Sequence, residues 1–214
     1  MARALQYGDM TLDPETSVDP KDAAILRAAF VAFARYGLKR TSMEDIAKGA
    51  GMSRPALYLR YCGKEDIFNA LVRTHFQRAE REVARVLDAG GPIAETLLAA
   101  FHAIDGEAVE AMLNSPHADE ILSADTPFNQ IEVQEAHARI TAHIAAWIAA
   151  GVADGRMSLR GLQATPDQVA ELVMATKFGI KSFAKDFGSY REAQARVAAI
   201  FAKALAPLTP DQAR

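Results

Sequence analysis

Residues 41–64 read TSMEDIAKGAGMSRPALYLRYCGK, and their spacing decides the fold. Thr41 with Glu44 fits a capping box, and Ser42 with Asp45 fits a second, weaker one. Met43, Ile46, Ala47 and Ala50 recur at helical spacing behind those caps and give a short helix one apolar face. Gly51 permits a sharp turn. Ser53 then caps a further helix to about Tyr61, with Pro55 in its first turn, where a missing N–H costs little. Two short helices across a tight glycine turn, with a small Ala47 at the crossing, form a helix-turn-helix. Such a unit can lay its second helix in the major groove of a duplex.

Upstream, Asp19-Pro20 opens a first helix, and Leu26, Ala29, Phe30 and Phe33 line its inner side until Gly37 closes it as a left-handed cap. Downstream, Lys64-Glu65-Asp66 starts a long helix whose stripe is Ile67, Phe68, Leu71, Val72, Phe76, Ala79, Val83 and Val86, ended by Gly90-Gly91-Pro92. Further helices are expected over about 93–102, in one or two short pieces within 105–122, and over 128–150, 166–186 and 189–205. Alanine is abundant and no alternating Val/Ile runs occur, so the fold class is all-α. The expected organisation is an arm over 1–19 that reads as disordered, a helix-turn-helix domain over 20–66 and a larger helical domain over 67–214.

Charge supports a polyanionic partner. The chain carries a net −3, but residues 21–64 hold nine Lys/Arg against three acids, a local +6. The arm carries −3 and the remainder from Glu65 onward −6. A basic segment on an acidic protein is an electrostatic footprint for nucleic acid. A single cysteine, Cys62, excludes an internal disulfide, and the greasiest run, 144–152, is too short to span a bilayer. A cytoplasmic protein is expected, with no cofactor and no metal. Enzyme signatures are missing: there is no Gly-x-Ser-x-Gly, no phosphate loop and no metal-spaced Cys/His cluster. An enzyme, and a helical interaction protein retaining the helix-turn-helix as a structural element, are the alternatives from other classes.

Phe33, Gly37, Thr41-Ser42, Ile46-Ala47, Ala50-Gly51-Met52-Ser53, Leu57-Tyr58, Tyr61, Lys64-Glu65 and Phe68 together resemble the TetR family of bacterial repressors. The resemblance covers about the first third of the chain. Pro55 stands where a small residue is usual and Tyr61 where Phe is usual. The resemblance implies a ligand-responsive regulator, a repressor, that binds near-palindromic operator DNA as a homodimer. It implies phosphate contacts from Thr41, Ser42, Ser53, Tyr58, Arg60 and Lys64. Arg54, at the start of the recognition helix, is the candidate for a base edge, since Arg can bind guanine O6 and N7 together. Pro55 and Ala56 can offer apolar contact to a thymine methyl. For an unknown small-molecule effector the candidates are Phe101, His102, Met112 and His117, with Phe128, His137, Trp147 and Phe178. For dimerisation through the last two helices they are Thr176, Phe183, Val197, Ile200, Phe201 and Ala204.

Overall fold

Asp19 accepts a hydrogen bond from the Lys21 backbone N–H, and with Pro20 in the first turn this launches α1 (Pro20–Tyr36). The computed structural model describes residues 19–122 and 127–207, apart from the side chains at 107, 119, 122 and 127–130. The arm expected over 1–19 lies outside the described residues but for Asp19. After α1 come α2 (Met43–Gly49), α3 (Arg54–Tyr58), α4 (Lys64–Ala89), α5 (Ile93–Leu113), α6 (Ala118–Leu122), α7 (Pro127–Ala153), α8 (Pro166–Lys181) and α9 (Phe187–Leu205). Every regular element among the described residues is a helix, and none of these helices is long and apolar enough to cross a membrane.

The chain forms two units. The first comprises the described part of Met1–Arg78 with Gly106–Val133; the second comprises Ala79–Asp105 and the described part of Gln134–Arg214. This division differs from the boundary expected at 66/67. The start of α4 buries Ile67, Phe68 and Leu71 in the same core as the helix-turn-helix, and Ile121 of α6 joins them. α5 bends at Gly106, which has φ 56° and ψ −168°. The positive φ is what favours glycine there; a Cβ would in addition push aside the Arg78 guanidinium, the movable end of a long side chain. The break at Gly106 divides α5 into two helical stretches, and with α6 these correspond to the separate pieces expected over 93–102 and 105–122.

In the first unit the apolar stripe of α1 supplies Ile25, Leu26, Ala29, Phe30 and Phe33, all 4% exposed or less. Met43, Ile46 and Ala47 of α2 and Leu57 of α3 meet that stripe. Phe33 and Phe68 pack edge to face with centroids 5.8 Å apart. Each such ring contributes about 1.5–3 kcal/mol through burial. The end of α1 is tied down by polar contacts as well. Ser115 Oγ donates to the Ala34 carbonyl at 2.6 Å, and Lys39 N donates to Glu120 Oε1 at 2.7 Å. Gly37 has φ 80° with ψ 161°, so it is an extended positive-φ residue and not the left-handed cap expected.

The second unit has its own core. α5 contributes Leu97, Ala100, Phe101 and Ile104; α7 contributes Ala136, Ile140, Ile144, Trp147 and Ile148; α8 contributes Val169, Ala170, Val173 and Met174. Thr165 and Gln168 form a capping box at the start of α8. Asp186 and Ser189 form another, which starts α9 at Phe187. That cap carries Gly188 into the first turn of α9, where an interruption was expected, and α8 stops at Lys181, short of the expected 186.

Candidate nucleic-acid interface

The exposed side of α3 is built by its caps. Ser53 Oγ accepts from the Ala56 N–H at 3.3 Å, which leaves its own hydroxyl proton available at an exposed position. Leu57 points into the core, while Arg54, Pro55 and Tyr58 are exposed and Ala56 is half-buried. The Arg54 guanidinium lies over the Tyr58 ring, 5.5 Å from its centroid, and Nη2 reaches the phenol oxygen at 3.5 Å. That contact is at the outer limit of hydrogen bonding. A duplex can therefore displace it cheaply. Leu59, 88% exposed just past α3, was not singled out from the sequence, because an apolar residue at helical spacing reads as core.

Thr41 is a correction. It is 2% exposed, and its hydroxyl donates inward to the Gly37 carbonyl at 2.7 Å with the Ala32 carbonyl at 3.2 Å. A buried hydroxyl committed to backbone carbonyls has nothing to offer a phosphate. The stronger expected capping box, Thr41 with Glu44, gives way to the weaker one. Ser42 Oγ accepts from Asp45 N at 3.2 Å and donates to Asp45 Oδ2 at 2.6 Å, while Ser42 N donates to the same oxygen at 2.9 Å. The Ser42 hydroxyl, followed by its backbone N–H, holds the Asp45 carboxyl below its ordinary pKa. Ser42 is exposed, but its proton is spent on Asp45.

The last two cations expected on phosphates have partners inside the unit. Arg60 forms ion pairs with both Asp19 and Asp22, the latter at 2.8 Å. Lys64 Nζ donates to the carbonyls of Lys39 at 2.8 Å and Thr41 at 3.1 Å, strapping the start of α4 to the α1–α2 connection. Tyr61 is half-buried against the core, and burial pushes its phenol up to about 12. Lys39, Arg40 and Lys48 are exposed; they were counted in the basic segment but not chosen as contacts.

The effector candidates divide between the units. Met112 packs on the helix-turn-helix core, and His117 sits beside Glu120 at 3.9 Å, next to Gly37. Both belong to the first unit because the bend at Gly106 separates them from the start of α5, which corrects their place in an effector domain. The side chain of Phe128 lies outside the described residues. Phe101, His102, His137, Trp147 and Phe178 belong to the second unit. The His137 and Phe178 rings lie 4.1 Å apart, and burial first, then the Lys177 charge, lowers His137 to about 4. His102 is also lowered, by partial burial and then by Arg191.

Of the dimer candidates, Phe183 is 88% and Ile200 65% exposed, and Ala204 is exposed too. Phe183 lies beyond the end of α8 instead of within a helix. Phe201 is half-buried, and Thr176 donates its hydroxyl to the Leu172 carbonyl at 2.7 Å. Val197 is buried within its own unit, so its expected place on an interface is corrected.

A capped α2, a glycine turn and a short α3 with an exposed arginine, all seated on α1 and α4, make up a helix-turn-helix. Residues 25–71 match the family model described as bacterial regulatory proteins, tetR family. The helix-turn-helix of this chain is thus similar to that of the tetR family, and curated relatives and solved structures show further likeness. It is 28% identical over 109 residues to the uncharacterized HTH-type transcriptional regulator YezE of Bacillus subtilis, covering 51% of this chain and 54% of YezE. It is 27% identical over 119 residues to the HTH-type transcriptional repressor KstR2 of Mycobacterium tuberculosis, covering 54% of this chain and 59% of KstR2. The chain thus spans little more than half the length of these curated relatives. Across the fold, it is similar to a transcriptional regulator from Cytophaga hutchinsonii at a TM-score of 0.72 and 21% identity, covering 88% of this chain and 100% of the other. The structure of KstR2 gives 0.58 at 19% identity, covering 89% and 97%. The fold class expected from the sequence, all-α with an N-terminal helix-turn-helix, is the one these comparisons support.

Proposed function

We propose that this chain is a transcriptional repressor that binds a near-palindromic operator as a homodimer and releases it when a small molecule occupies the second unit. One observation carries the reading. α3 buries Leu57 and turns Arg54, Pro55 and Tyr58 outward, beside an exposed Ser53 that keeps a proton to donate. That is the layout of a reading helix, with a base-edge donor at its start and a phosphate donor next to it. The +6 segment supplies the sequence-independent attraction. The repressor role is supported by similarity to KstR2, a transcriptional repressor, and the pairing of two copies by exposed Leu172, Phe183 and Ile200 around α8 and α9. A cytoplasmic location goes with this reading.

Two reading heads on a dimer must lie about 34–36 Å apart to enter successive turns of one face of the duplex. A ligand that favours another spacing lowers operator affinity by its differential binding to the two arrangements. Selection of bound duplexes from a random pool tests the reading. A recovered inverted repeat whose half-sites are one helical turn apart supports it. Recovery of no sequence above background, together with no duplex binding at low salt, refutes it.

A further inference from the structure

The second unit buries a polar cluster that no apolar helix packing requires. Asp105 of α5 is 1% exposed. Its Oδ1 accepts from Lys177 Nζ at 2.6 Å and from the Tyr190 hydroxyl at 3.1 Å, and its Oδ2 accepts from Gln194 Nε2 at 2.7 Å. One carboxylate is thereby satisfied by three donors, and its charge is matched by Lys177 alone. Two more cations lie within electrostatic reach of Lys177, namely Lys181 and Arg191. Among the described residues neither forms an ion pair. Arg191 Nη1 is buried with no hydrogen-bond partner, and so is Gln194 Oε1 on a side chain that is 0% exposed. The Arg191 guanidinium lies over the Phe187 ring at 4.8 Å, and Lys177 Nζ lies 4.7 Å from the Phe178 ring.

We propose that Lys177, Lys181 and Arg191 bind the carboxylate of a small amphipathic acid, whose apolar part packs by the Phe178 and Phe187 rings. Three cations face one acid: Lys177 is buried and paired with it, while Lys181 and Arg191 are half-buried and carry the excess positive charge. A partly desolvated cation without a counterion is disfavoured, and an incoming anion relieves that. Burial lowers the ammonium pKa of both lysines, with Asp105 as the carboxylate that counters it. Arg191 supplies the fork that a carboxylate fits. Gln194 Oε1 offers an acceptor to a hydroxyl or amide elsewhere on the ligand. The inference rests on reading the second unit as the effector domain, and it names the chemical class of that effector.

Calorimetric titration of the full chain with octanoate, 1-octanol and octylammonium tests it. Octanoate is expected to bind, and the alcohol and the ammonium to bind at least about tenfold more weakly, the loss that follows from removing a charged hydrogen bond. Arg191→Met and Lys181→Met should each weaken octanoate by about tenfold or more, while Arg191→Lys, which keeps the charge but not the fork, should lose less than Arg191→Met. Equal binding of octanoate and octanol overturns the proposal, as does wild-type affinity in Arg191→Met or no octanoate binding. Should the Met variants fail to fold, the octanoate-to-octanol ratio on the unaltered chain still decides. Duplex binding is measured in parallel without octanoate. Duplex binding without octanoate binding overturns only this inference; octanoate binding without duplex binding overturns only the repressor reading.

Discussion

Arg60 offers the sharpest test of how the head meets a duplex. Its side chain is 29% exposed and held between Asp19 and Asp22, so the free protein has already neutralised it. A cation that keeps its acidic partners releases no counterion from DNA. Each phosphate neutralised contributes about −0.9 to the slope of log K against log salt. Replacing both acids by asparagine frees Arg60 while keeping the cap, because Asn caps a helix as well as Asp. In a dimer the freed pair adds about −1.8 to the slope, so raising salt fourfold costs roughly 12-fold more affinity than without those contacts. The control is Asp19→Asn/Asp22→Asn/Arg60→Gln, which shares the loss of acid and lacks the cation. Fluorescence anisotropy of a labelled duplex, read over a salt series, should show the double variant steeper than the triple by that amount. Wild type and Arg60→Gln should share one slope. A shallower slope in Arg60→Gln alone would mean that Arg60 leaves its carboxylates for phosphate in the complex, and the reasoning fails.

Other expectations follow from buried groups and bare surfaces. Thr41→Val should lower stability by about 1 kcal/mol in denaturant melts and leave the salt slope of duplex binding unchanged, because its hydroxyl serves only the chain's own carbonyls. Asp105→Asn strands the buried Lys177 charge and should cost about 3–5 kcal/mol, whereas Asp105→Leu with Lys177→Met together should recover much of it by chemical denaturation. His137 titrates near 4 when folded and near 6.5 when unfolded, so the unfolded state takes up more protons between those values. Stability should therefore fall as pH drops through that window, and His137→Leu should flatten the dependence of the melting temperature on pH. Phe183→Glu with Ile200→Glu should weaken self-association by roughly 10²–10³-fold, seen by sedimentation, since each exposed apolar anchor recurs twice in a two-fold interface.

The first three helices and the fourth were legible because local signals agreed. A cap, a periodic apolar face and a glycine break occurred in order, and α1 through α4 start within a residue of the expected positions. Adjacent Thr41 and Ser42 exposed the limit of that logic. Both residue types cap helices, and the choice is made by tertiary contact: Thr41 fits beneath the end of α1, leaving the cap to Ser42. The exposure of Ser53, Arg54 and Tyr58 around α3 was legible, but the employment of Arg60 was hidden, because Asp19 and Asp22 lie 41 and 38 residues away in sequence. Lys177 was hidden for the same reason. Its spacing from Val173 and Met174 puts it on their buried face, where a lysine has no evident reason to sit until Asp105, 72 residues earlier, is known to face it.

The contacts of Ser115 with Ala34 and of Glu120 with Lys39 bear on how such proteins can be recombined. A DNA-reading module excised at residue 66 would leave behind Ile121 and half of the polar stitching that finishes α1. Transplanting this specificity onto another regulator's body would call for a discontinuous donor piece, residues 19–78 with 106–133, spliced at two places. Evolution by exchange of a single contiguous N-terminal cassette meets the same obstacle.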